Sequence, residues 1–66
     1  RVRISVYDIH GRLVRTLLHG EQLPAGRREV RWDGRDELGR ASASGVYWFR
    51  LEAGGESRTE RGILLR

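Results

Sequence analysis

Apolar and polar residues alternate from the start of the chain. Val2, Ile4 and Val6 are interleaved with Arg1, Arg3, Ser5 and Tyr7, which is the period of a strand with one face buried. Asp8-Ile9-His10-Gly11 then reverses the chain, since glycine enters the left-handed region at no steric cost and Asp can bond the amides of its own turn. In Arg12 to Leu18 the apolar residues Leu13, Val14, Leu17 and Leu18 fit one face of a short helix as well as a strand carrying a bulge. The hairpin turn before it, and a length too short for an isolated helix, favour the strand.

His19 to Gly26 holds Gly20, Pro24 and Gly26 and reads as a crossing loop, because Pro offers no amide to a ladder and glycine weakens one. Alternation resumes over Arg27 to Trp32, with Val30 and Trp32 on one side and Glu29 and Arg31 on the other. Asp33 to Ser44 reads as a long hairpin connection that folds on itself. Gly45 to Glu52 carries the strongest strand signal: Val46, Tyr47, Trp48 and Phe49 put β-formers on both faces, as a central strand requires. Ala53-Gly54-Gly55-Glu56 is a tight turn, and Ser57 to Arg66 returns as a last strand ending in Ile63, Leu64 and Leu65. The pattern therefore predicts five strands, no helix and no repeat, arranged as an antiparallel sandwich or small barrel. Its expected core is Val2, Ile4, Val6, Leu13, Leu17, Val30, Trp32, Tyr47, Phe49, Leu51, Ile63 and Leu65.

Composition narrows the chemistry. A chain of 66 residues buries only about 60% of its unfolded surface, so stability is marginal without a staple. With no Cys there are no disulfides and no thiolate metal sites, and two histidines cannot make a metal site alone. A chain that starts at Arg1 and holds no Met reads as a module of a longer protein. The net charge of +4 invites a polyanionic partner, yet acids are interleaved among the 13 arginines at Glu29, Asp33, Asp36, Glu37, Glu52, Glu56 and Glu60. A solvated mixed-charge surface is the better reading, because nucleic-acid footprints concentrate Arg on one stripe. No apolar run reaches the roughly 18 residues of a membrane helix, and none has the order of a signal peptide.

Asp33, Asp36 and Glu37 are the only dense carboxylate cluster, and oxygen-rich loops hold calcium. Their spacing does not match alternate-position ligands and Arg35 stands among them, so turn capping is favoured. His10 and His19 are expected to face solvent, and Ser5, Ser42, Ser44 and Ser57 show no arrangement of nucleophile, base and orienting group. Trp32 and Trp48 with Arg28, Arg31 and Arg50 could form a stacking platform for single-stranded nucleic acid or a sugar. A domain this small needs its large rings for burial, so core is the favoured place for both.

The order of four motifs adds a resemblance. Val6-Tyr7-Asp8 with Gly11-Arg12, then Trp32-Asp33-Gly34 with Asp36 and Gly39, then Ser44-Gly45-Val46-Tyr47, and finally Ile63-Leu64-Leu65, together resemble the Ig-like domain of flagellar hook-capping proteins. That FlgD-type module also recurs at the C-termini of bacterial secreted enzymes and surface proteins. Two departures stand out: family members commonly carry another strand before the position of Val2, and often a Lys where this chain has Arg61-Gly62. The absent strand implies an open sheet edge beside Val2.

The resemblance implies an all-β, antiparallel Ig-like β-sandwich over residues 1–66, lacking a first strand, with Asp8, Gly11, Asp33, Gly34, Asp36, Gly39 and Gly45 as structural turn residues. No catalytic, cofactor-binding or metal-binding residue is expected, and no cofactor. The implied role is a non-catalytic scaffold of a bacterial exported or surface protein, at the cell surface or outside the cell. Its expected partner is a preceding domain or strand of the same protein, or another chain paired at an edge, rather than nucleic acid or membrane. Two other readings stay open: a C-terminal sorting domain of type IX secretion, which shares the Tyr-Asp turn and the Gly-Val-Tyr strand, and a five-stranded barrel that binds single-stranded nucleic acid.

Overall fold

The alternating stretch at the start of the chain becomes an inner strand. In a computed structural model, which describes residues 1–21 and 31–65 and only the backbone of 19–21, β1 is Val2–Tyr7, β2 Leu13–Glu21, β3 Gly45–Ala53 and β4 Glu56–Leu64. All pairings are antiparallel, the strand order is β2-β1-β3-β4, and no helix occurs among the described residues.

Among the described residues there are therefore four strands, where the pattern predicts five over the whole chain. Arg31 and Trp32, the end of the expected strand over Arg27 to Trp32, lie outside any strand, and its remainder, with Val30, lies outside the described residues. Neither is there an open edge beside Val2. β1 has β2 on one side and β3 on the other, and the strands with one strand neighbour each among the described residues are β2 and β4.

β2 also runs further than expected, through His19 and Gly20 to Glu21. It manages this by slipping against β1: the register shifts between Val2 and Arg3, between Ile4 and Ser5, and between Val6 and Tyr7. Nine residues of β2 thus face six of β1, with Val14, Leu17 and Gly20 as the extra residues. Bulges of this kind bend a strand and increase its twist, and glycine inside a strand commonly marks one. The β3–β4 hairpin is regular, and Gly54 and Gly55, with φ of +57° and +81°, form the two-residue connection with both centres left-handed that suits the twist of paired strands.

Cross-strand partners share a face, so Ile4 lies with Leu51, Val6 with Phe49, and Tyr47 with Gly62. This inner face holds the core: Val6 is fully buried, and Ile4 and Tyr47 nearly so. Its second layer, among the described residues, is the irregular segment 31–44 rather than a second sheet. Trp32 sets its ring edge-to-face against Tyr47, with centroids 4.9 Å apart, and against Phe49 at 5.9 Å. Phe49 in turn covers Gly62, where an added Cβ would stand 2.5 Å from the ring.

Three residues expected in the core are exposed. Ile63 pairs with Val46 on the opposite, outer face, Leu65 lies past the end of β4, and Leu13 pairs with Tyr7, again on the outer face. A strand's faces alternate residue by residue, so Leu64 rather than its two neighbours turns inward. Trp48 also departs from its expected burial: it sits beside Tyr7 on the outer face and is 39% exposed. Val2, Leu17, Trp32, Phe49 and Leu51 are half-buried.

Candidate functional site

Two loops at one end of the sheet are copies of each other. Asp8-Ile9-His10-Gly11-Arg12 joins β1 to β2, and Asp36-Glu37-Leu38-Gly39-Arg40 lies within the segment that packs over the sheet. In the first, Asp8 Oδ1 accepts from the amides of His10 (2.9 Å) and Arg12 (3.0 Å), while Oδ2 takes the Arg12 Nε–H at 3.2 Å. In the second, Asp36 Oδ1 accepts from Leu38 and Arg40, both at 2.9 Å, and Oδ2 takes Arg40 Nε–H at 3.2 Å.

The backbones match as well. The amides of Gly11 and Gly39 each donate to the carbonyl of the loop's Asp at 3.0 Å, and each Asp amide donates to the carbonyl of the loop's Arg. The two glycines have φ of +79° and +80°, a left-handed geometry that a side chain resists. A five-residue pattern, Asp-x-x-Gly-Arg, is thus repeated in sequence and in bonding, contrary to the expectation of no repeat. The signal was present in the spacing of Asp, Gly and Arg.

Both loops flank an open hollow of about 420 Å³, with Tyr47 among its walls. The Tyr47 hydroxyl donates to the carbonyl of Ala43, four residues upstream, at 2.6 Å, a back-bond of the kind that ties strand entries in Ig-like sandwiches. Both carboxyls are held below their ordinary value. The chief cause is the bond from the loop's Arg amide, opposed by partial desolvation and reinforced by the second amide and the guanidinium.

Asp33 begins a smaller turn: its Oδ1 accepts from the Arg35 amide at 2.9 Å and from the Arg15 guanidinium at 3.3 Å. Gly34 is buried, with φ +77°, and its carbonyl accepts from Ser42. The indole N–H of Trp32 donates to the carbonyl of Arg35 at 2.9 Å, and Arg35 and Ala41 form an isolated bridge. Gly45, at φ +152°, opens β3.

In the sequence Glu37 figures only as a member of the carboxylate cluster, and its position is different. Its amide donates to the carbonyl of Val14 at 3.1 Å, and its Oε1 accepts from the amide of Thr16 at 2.6 Å. One residue therefore satisfies both kinds of backbone group on the outer edge of β2. Asp33, Asp36 and Glu37 point to separate backbone partners, and among the described residues no group of three or more His, Asp or Glu is placed to hold a metal ion.

The remaining candidates do not converge. His10 is exposed, the side chain of His19 lies outside the described residues, Ser5 is buried on the outer face, and Ser57 is exposed on β4. Trp32 covers the inner face while Trp48 lies on the outer face, so the two rings cannot build one stacking platform.

The turns, the Trp32 anchor and the Gly45-Val46-Tyr47 entry into β3 are the features of an Ig-like module, and the FlgD Ig-like domain family model matches residues 1–57. The chain belongs to the FlgD Ig-like domain family. The match includes both Asp-x-x-Gly-Arg loops, and β4 beyond Ser57, with the Ile63-Leu64-Leu65 run, lies outside it. No curated protein and no solved structure matches the chain. Among the described residues no helix is long and apolar enough to cross a membrane.

Proposed function

We propose that this FlgD-type Ig-like domain is a non-catalytic structural module of a bacterial exported or surface protein, in which it supports or anchors a neighbouring domain. One observation carries the reading. The side chains with the most chemical potential, the carboxylates and arginines of the twin loops, are bonded to their own loops, so they shape the fold and are not presented to a substrate. The open hollow between the loops is walled in large part by residues of these same loops. Family membership supports the same role by analogy of fold, which by itself does not assign an activity.

The test is deletion of residues 1–66 from the full-length protein, followed by separate measurement of the neighbouring domain's activity, its melting temperature and its retention on the cell. A scaffold role predicts loss of retention or of several degrees in melting temperature with turnover per folded molecule unchanged. Loss of turnover with stability and retention intact overturns it.

A further inference from the structure

The two edges of the sheet are treated differently. On β2 the backbone groups of Val14 and Thr16 are taken by Glu37. On β4 no described residue pairs with the outer edge, although the strand is nine residues long. Its charges, Glu56, Arg58, Glu60 and Arg61, discourage indiscriminate pairing, as charged edges generally do. They also specify one partner.

We propose that β4 pairs antiparallel with β4 of a second copy of this chain, in a register centred on Thr59. Two identical strands related by a two-fold axis normal to the sheet keep their faces, so one residue must stand opposite itself at the centre. Centres at Arg58 or Arg61 oppose two arginines, and a centre at Glu60 opposes two glutamates. Centres at Ser57 or Gly62 leave a shorter overlap within the strand.

Thr59 alone combines a seven-residue overlap, Glu56–Gly62, with complementary charge. Arg58 then faces Glu60 of the partner subunit, and Glu60 faces Arg58 of the partner subunit. The central Thr59 pair is itself a favourable cross-strand match. Within one chain Arg58 and Glu60 are both well exposed and make only a loose contact of 3.9 Å, so both are available to face across the axis. The product is one eight-stranded sheet. Its outermost strands are then the two copies of β2, where Glu37 already occupies the Val14 carbonyl and the Thr16 amide, a local obstacle to addition of a further strand.

Sedimentation equilibrium of the 66-residue chain tests this, together with R58E and E60R. Each substitution turns both cross-axis pairs into like charges, and each variant alone should dimerise at least about tenfold more weakly than the parent. An equimolar mixture of the two should recover the dimer as a heterodimer. In it the carboxylate introduced by R58E faces the guanidinium introduced by E60R, and the other cross-axis pair keeps the parent's Arg58 and Glu60.

The chain has no Cys, so T59C supplies an independent readout: mild oxidation should join two chains at position 59, whose opposed Cα atoms stand at disulfide distance in this register. A parent that stays monomeric to about 1 mM overturns the proposal. So does a dimer in which T59C fails to cross-link, or one that both charge variants form as well as the parent does.

Discussion

The carboxylate of Glu37 stands where the next strand of a sheet would stand, with Oε1 2.6 Å from the amide nitrogen of Thr16. The Glu37 amide reaches the Val14 carbonyl beside it, so the loop imitates one rung of a ladder at the edge of β2. Replacing Glu37 by Ala removes the acceptor and keeps the amide. The loss of one hydrogen bond at a partly wet edge is expected to cost about 1 kcal/mol. Amide exchange reads it directly: Thr16 should exchange faster in E37A while the amides of β3 keep their protection. Unchanged exchange at Thr16 would show that the edge is held by other groups.

The twin loops make a matched pair of predictions. At Gly11 and Gly39 an added Cβ meets nothing within 4 Å, so any cost of Gly→Ala comes from the backbone alone. With φ near +80°, each substitution should destabilise by about 1 kcal/mol, and Gly→Asn by less, because Asn tolerates the left-handed region. Chemical denaturation of the four single variants checks both the size and the parity of the effect. Near-neutral Gly→Ala changes would mean that the loops relax to another turn.

Acid should loosen both loops together. Asp8 and Asp36 have carboxyls lowered below 3.8 in the folded state, chiefly by the amides of Arg12 and Arg40. The unfolded chain therefore binds more protons than the folded one in that region. Their contribution is complete above the unfolded value and is lost as pH falls through the folded values, so stability declines on acidification below about pH 4. Melting curves from pH 2 to 6 should show a shallower acid limb for D8N/D36N than for the parent. Parallel limbs would assign the acid sensitivity to other carboxylates.

Gly62 offers a test of packing. A Cβ there would stand 2.5 Å from Cε1 of Phe49, whose ring is also set against Trp32. Because that ring is also held by its edge-to-face contact with Trp32, G62A should cost about 1–3 kcal/mol, as overpacking does. Combining it with F49L should recover part of the loss, and a simple sum of the two losses would refute the steric account.

Much of this arrangement could be read in the residues. The alternation of Val2, Ile4 and Val6, the β-rich run from Gly45 and the Asp-Ile-His-Gly reversal led to β1, β3 and the turn after β1, because local periodicity and turn chemistry act over short distances. The family resemblance drew on part of these positions together with Trp32-Asp33-Gly34, Asp36, Gly39 and Ile63-Leu64-Leu65.

What escaped depended on relations between distant segments. The end of β2 was hidden because Gly20 looks like a breaker until a bulge accommodates it. The inward turn of Leu64 in place of Ile63 and Leu65 follows from a register that only the pairing with β3 decides. Glu37 looked like one of three neighbouring acids, and nothing local announces that its partner is Thr16, 21 residues earlier. The repeat of Asp-x-x-Gly-Arg was legible throughout and was masked by the different settings of its two copies.

The slippage of β2 has a consequence for how the chain tolerates changes of length. A strand already out of step with its neighbour at three places can take up the loss of one residue by dissolving a bulge, leaving every other rung where it was. In the regular hairpin of β3 and β4 the same deletion would turn the rest of the strand inside out. Deletion of Leu17 should leave a chain that still folds, whereas deletion of Thr59 should not, a contrast that circular dichroism would reveal. Natural length variation within the module is accordingly expected to collect in its second strand.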